Sequence, residues 1–178
     1  MGLDMYIFRT DNNRKAATKL VDDIFEAVAK NEREAVPLGD LHVIAHIGDW
    51  HNRVEELNPV AYWRKANHIH EWISRHVLGN RPGNDQYRLG FISKEQLLKL
   101  SQNCKAVLEH CITQSGEIVI DEDCCRRLFP PNNTILYSGS KEYDAAFIES
   151  LRRTQAQINV LLLTTNFNQS VLLYFAYY

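Results

Sequence analysis

The chain has 178 residues, 45% of them apolar and 24% charged, which suits one globular domain with a core of its own. The formal net charge of −2 excludes a global attraction to nucleic acid or to an anionic membrane, and leaves Arg64, Lys65, Arg75, Arg152 and Arg153 as material for a local basic patch. No apolar run approaches the roughly 18 residues of a membrane helix. The start, Met1-Gly2-Leu3-Asp4-Met5-Tyr6, lacks the regions of a signal peptide, so a cytoplasmic location is expected.

Leu3 to Arg9 reads as a strand that is apolar on both faces, as a central strand would be. Asp11 or Asn12 then caps a helix to about Asn31, with Ala17, Leu20, Ile24 and Val28 as its buried stripe. Pro37-Leu38-Gly39-Asp40 is a turn, Leu41 to Ile47 alternate as a second strand, and Gly48 to Asn58 form a loop. Pro59 opens a helix that ends near Leu78-Gly79-Asn80. Tyr87 to Ile92 is a short strand, and Ser93-Lys94-Glu95-Gln96 is a capping-box signature. The helix it starts has the stripe Leu97, Leu100, Cys104, Val107 and Cys111.

Glu117 to Ile120 is a candidate short strand, Asp121 to Leu128 a helical turn, and Thr134 to Tyr137 an extended segment. The last long helix, about Glu142 to Thr164, has the stripe Phe147, Leu151, Thr154, Ile158 and Leu161, with the Thr154 hydroxyl expected to bond back into its own helix. Val171 to Tyr178 reads as a terminal strand whose natural partner is the N-terminal one. The whole predicts a single α+β domain over residues 1–178, with about four helices packed on a small, mainly antiparallel sheet that pairs the first and last strands.

The richest chemistry lies between Tyr62 and Trp72. Read as one helix, it carries three stripes: a core stripe of Tyr62, Ala66, Ile69, Ile73 and Val77, a second of Trp63, Asn67, His70 and Ser74, and a third of His68, Trp72 and His76. The second stripe suits a ligand face, since an indole stacks on a flat group, Asn67 and His70 hydrogen-bond it, and Arg64 or Lys65 meets an anion. Tyr62 and Asp4 are placed nearby. The bland alternative is that Trp63 and His70 are interior residues satisfied by their neighbours. The third stripe is a candidate contact for a second copy or another protein.

Other chemistry is sparser. His46, Asp49 and His51 are possible metal ligands, but their spacing matches no standard zinc pattern. His70 is a candidate general base for a phosphoester or nucleotide hydrolase. There is no Gly-x-Ser-x-Gly elbow and no Gly-x-x-x-x-Gly-Lys loop, so the residues favour a binding protein over an enzyme and imply no cofactor. Cys104, Cys111, Cys124 and Cys125 contain no Cys-x-x-Cys pair and are expected as buried, reduced thiols.

The motifs Met1-Gly2-Leu3-Asp4-Met5-Tyr6 and Ala61-Tyr62-Trp63-Arg64-Lys65-Ala66-Asn67-His68-Ile69-His70-Glu71-Trp72 resemble those of a family of small bacteriophage and prophage proteins. A weaker likeness runs through Tyr87 to Leu100, Phe129-Pro130-Pro131 and Tyr143 to Thr154. Many members carry the label phosphoglycerate kinase, but this chain is far too short for that two-domain enzyme. The resemblance implies a phage accessory protein in the host cytoplasm, acting on host processes or host defence. The concentration of aromatic, amide, imidazole and cationic groups between Tyr62 and Trp72, taken with that origin, leads to the expectation of a protein that binds and sequesters a small anionic, nucleotide-like host signal at Asp4, Tyr62, Trp63, Arg64, Asn67 and His70, with no membrane attachment, no general nucleic-acid binding and the option of a homo-oligomer.

Overall fold

The computed structural model describes residues 3–11, 14–29, 36–38, 41–43, 57–78, 87–114, 117–131 and 142–177. Its centre is the antiparallel ladder between β1 (Asp4–Asp11) and β8 (Ser170–Tyr177), which run side by side from Asp4 opposite Tyr177 to Asp11 opposite Ser170. Both strands are apolar on each face, as strands covered on two sides must be. β4 (Ala61–Arg64) pairs with the other edge of β1, and β5 (Tyr87–Ile92) with the other edge of β8, giving the order β4-β1-β8-β5. The first and last strands therefore pair as the sequence predicts, in an all-antiparallel sheet.

Two short hairpins stand apart from this sheet: β2 (Val36–Leu38) with β3 (Leu41–Val43), and β6 (Ile112–Gln114) with β7 (Glu117–Val119). β6 was not expected, and the predicted second strand at Leu41–Ile47 is described only as far as Val43. The described residues hold five helices: α1 (Arg14–Ala29), α2 (Asn67–His76), α3 (Lys94–Glu109), α4 (Glu122–Leu128) and α5 (Ala145–Thr164). The capping box at α3 is formed, with the Ser93 hydroxyl accepting from Gln96 N–H while Gln96 Oε1 accepts from Ser93 N–H. Phe147, Leu151, Thr154, Ile158 and Leu161 of α5 are all buried, as the stripe predicts.

The sheet separates two clusters. On one face Met5, Ile7, Trp63, Tyr174 and Ala176 pack with buried residues of α2, α3, α4 and α5. On the other, Tyr6, Phe8, Leu173, Phe175 and Tyr177 pack with Leu20 and Val21 of α1. Gly90 of β5 faces the first cluster, where any Cβ would lie 2.3 Å from Leu78 Cδ2, so the helix exit at Leu78 seats directly on the strand backbone.

The main departure from expectation is the span from Pro59. Instead of one helix, Ala61–Arg64 form β4, and α2 starts only at Asn67. Two further bonds, Val60 N–H to Ile7 O at 2.7 Å and Lys65 N–H to Leu3 O at 2.7 Å, extend the β1–β4 ladder. Lys65 makes the switch from strand to helix at φ 57°, in the left-handed region that costs an L-residue about 1–2 kcal/mol. Replacing this exposed lysine with glycine is expected to raise unfolding stability by about 0.5–1 kcal/mol in urea titrations. Unchanged or lower stability would show that the Lys65 side chain compensates for its backbone.

Candidate functional site

Because β4 is a strand, its side chains alternate across the sheet rather than sharing helical stripes. Tyr62 and Arg64 go to the α1 face, and Trp63 goes to the face covered by α2 and α5. The candidate residues are thereby split between two sides of the sheet, and the predicted stripe of Trp63 with Asn67 and His70 does not exist as a helix face.

The helical side is interior. Trp63 is 1% exposed, and its Nε1–H donates to Thr154 Oγ1 at 2.9 Å. The Thr154 hydroxyl donates in turn to Ser150 O at 2.7 Å, the back-bond expected of it. His70 is 3% exposed, with Nδ1 2.7 Å from the Tyr174 hydroxyl and Nε2 3.1 Å from that of Ser74. Burial pushes the imidazole down to about 3, and the Arg88 charge adds to the effect. The ring is therefore neutral, with one nitrogen donating and the other accepting. It is sealed from substrate and cannot serve as a solvent-facing general base. Asn67 is half-buried, and its Oδ1 has no hydrogen-bond partner among the described residues.

The third stripe is also largely covered, which corrects its reading as an exposed contact. Trp72 is 1% exposed and stacks on the His76 ring at 4.3 Å, while His76 Nδ1 lies 2.8 Å from Trp72 O. His68 is 8% exposed, stacked on Tyr143 at 5.1 Å and edge-on to Phe147 at 4.7 Å. Burial lowers its pKa, opposed in part by the Glu142 backbone and the Asp144 charge. Only His76 of the three reaches the surface.

The α1 side differs. Asp4 is 2% exposed, and its Oδ1 accepts from the Tyr62 hydroxyl at 2.6 Å. The same oxygen lies 3.9 Å from Arg64 Nε, whose side chain is otherwise 62% exposed. From α5, the Arg153 guanidinium sits 6.0 Å over the Tyr62 ring, and Gln157 Oε1 accepts from Tyr62 N–H at 2.9 Å. The latter bond satisfies a backbone donor on the outer edge of β4 and protects that edge from strand addition. Tyr62 is only half-buried, with Tyr6 packed 5.0 Å from its ring, so this corner presents one guanidinium over the ring and another beyond the hydroxyl. Guanidinium groups of this kind have the chemistry to meet flat or anionic groups by stacking and charge-assisted hydrogen bonds.

Arg153 and Gln157 were missed as site residues, although their i, i+4 spacing beside the Thr154 position was visible in the sequence. His46, Asp49 and His51 lie outside the described residues, and among the described residues no three His, Cys, Asp or Glu side chains are grouped to hold a metal ion. The cysteines are free thiols, with Cys104, Cys124 and Cys125 buried and Cys111 partly so. Burial raises Cys104 and pushes Cys125 up to about 12, so neither is a nucleophile at neutral pH. No helix among the described residues is long and apolar enough to cross a membrane. No protein-family model, curated protein or solved structure matches the chain.

Proposed function

We propose that this protein binds a small anionic, nucleotide-like ligand at the Tyr62 corner of the sheet and acts by sequestering it. The observation that carries the reading is the pair of exposed guanidinium groups, Arg64 and Arg153, at the hydroxyl end and the ring face of one half-buried tyrosine. With Tyr6 packed 5.0 Å from the Tyr62 ring, the flat group that an aromatic base would meet is the Arg153 guanidinium over that ring, and a phosphate would meet the two forked donors. Asp4 orients Tyr62 from beneath and holds Arg64 near the corner. Trp63, Asn67 and His70 act in this reading as the scaffold under β4 and α2. The likeness to phage accessory proteins makes a host signal the natural ligand, and its removal a means of blunting host defence.

The test is calorimetric titration of the protein with 5′-nucleotides and cyclic nucleotides. Binding is expected for at least one of them, weakened at least tenfold in Arg64→Ala plus Arg153→Ala and weakened by added salt. Absence of binding across the series, or affinity unchanged in the double variant, would overturn the proposal.

A further inference from the structure

Three of the four thiols gather where the β6–β7 hairpin meets α4. Ile112 pairs with Val119, which sets Cys111 and Ile120 side by side at the mouth of the hairpin, and both pack against the main core cluster. Asp121 follows as the N-cap of α4, its Oδ1 accepting from Cys124 N–H at 2.9 Å. The Cα–Cβ bonds of a helix tilt toward its N-terminus, so the Cys124 side chain leans back toward Asp121. The Asp121 backbone N–H in turn faces the Cys111 sulfur. The hairpin and the cap thus bring Cys111 and Cys124 to the same residue from two sides.

The surroundings of the thiols differ. Cys111 is half-buried and open to a small oxidant, whereas Cys124 and Cys125 are buried. Burial raises the Cys111 thiol, the Arg152 charge opposes it, and Cys124 raises it again. Arg127 Nη2 lies 3.9 Å from Cys124 Sγ. Cys125 is the poorer partner: burial pushes it up to about 12, with Cys111 and Cys124 adding, and it also acts on Tyr143 on the core side. Neighbouring residues of a helix do not face each other, so Cys124 and Cys125 are not a pair for one another. Cys104 lies about two helical turns back from Cys111, roughly 10 Å along the axis, beyond the Cα separation of about 4.4–6.8 Å that a disulfide spans.

We infer that Cys111 and Cys124 are a reversible redox pair, closing under peroxide a disulfide that staples the end of α3 to α4. The half-exposed Cys111 reacts first. Its thiolate sulfur attacks the O–O bond and becomes a sulfenic acid, and the hydroxide released takes up the proton that the thiol had lost. The Cys124 sulfur then attacks the Cys111 sulfur to form the S–S bond, and the hydroxyl leaves as water with the Cys124 proton. Two thiols and one hydrogen peroxide become one disulfide and two waters. Because burial holds Cys111 above its usual range, the pair answers sustained oxidant rather than a brief pulse. A thiol reductant reverses the step by exchange. The pair is separate from the Tyr62 corner and does not depend on it.

Mass spectrometry of the whole protein tests this, after full reduction, treatment with hydrogen peroxide and blocking of the remaining thiols. The intact mass should be that of one chain less two hydrogens. Peptide mapping should join Cys111 to Cys124, with fragmentation between residues 124 and 125 identifying the partner, and dithiothreitol should separate the two peptides. Cys124→Ser should lose the cross-link and leave a sulfenic acid on Cys111 that dimedone traps. Cys104→Ser and Cys125→Ser should keep the rate of closure within about twofold. Should a variant not fold, the mapping of the unsubstituted chain decides by itself. Cys111 and Cys124 both remaining open to the blocking reagent would overturn the inference. So would oxidation of Cys111 to the sulfinic acid with no cross-link, a cross-link of Cys111 to Cys125, or one that joins two chains.

Discussion

Replacing Trp63 with alanine is expected to remove about 3–5 kcal/mol of stability, a large fraction of what a domain of this size has. The indole is fully buried between β4 and α5, so truncation leaves a cavity that a strand and a long helix cannot both close. The indole's hydrogen bond is separable from its volume. Because the Thr154 hydroxyl gives its proton to Ser150 O, losing the Trp63 N–H leaves Thr154 satisfied. Thr154→Val, by contrast, strands the buried Trp63 N–H and should cost about 1–3 kcal/mol. Urea unfolding of Trp63→Phe, Thr154→Val and the double variant checks this: the double should be clearly less destabilised than the sum of the singles. Additive costs would show that the bond contributes little.

Lowering the pH from about 7 to about 4.5 is expected to remove about 3 kcal/mol of stability through His70 alone. In the folded chain burial holds this imidazole near 3, whereas in the unfolded chain it returns to 6.5. Below 6.5 the unfolded state takes up a proton that the folded state refuses, so unfolding is favoured by each further fall in pH. The contribution is complete above 6.5 and is lost progressively down to about 3. His68, lowered in the same direction by burial, adds to the trend. His70→Phe with Tyr174→Phe removes the titrating ring together with the hydroxyl it faces, and should flatten the dependence across this window. If the double variant keeps the parent's slope, His70 is not the sensor.

The sheet's central pairing, the α3 cap and the α5 stripe were legible because each rests on a local rule: alternation, a four-residue cap and a 3.6-residue period. The span from Pro59 was not. Tyr62, Ala66, Ile69 and Ile73 fit a helical period, and Ala61 to Arg64 equally fit an alternating strand rich in aromatic β-formers. The outer edge of β1 decides between them, since its buried backbone groups need a partner strand and β4 supplies it. The break between strand and helix falls on Lys65 at positive φ, and a lysine gives no sign of that in sequence. The same misreading put Trp63 beside His70 on one helix face and hid Arg153 and Gln157, whose approach to Tyr62 is a tertiary fact. Thr154 stands out in the sequence as a polar residue in an apolar stripe, and that oddity is the visible trace of Trp63 above it.

The ladder that joins Asp4 to Tyr177 also governs when the fold can exist. During synthesis β1 emerges first, but the strand that fills its inner side is not available until residue 170 and beyond have left the ribosome. Until then a nearly continuous apolar strand stands with one edge open, an invitation to pair with other chains. Contacts so distant in sequence close large loops before they are rewarded, which makes for slow folding. The helices α3 and α5 can form earlier from local signals. The pairing of β1 with β8 can therefore close only after the intervening helices have been made, whereas the partner of its outer edge, β4, is available much earlier.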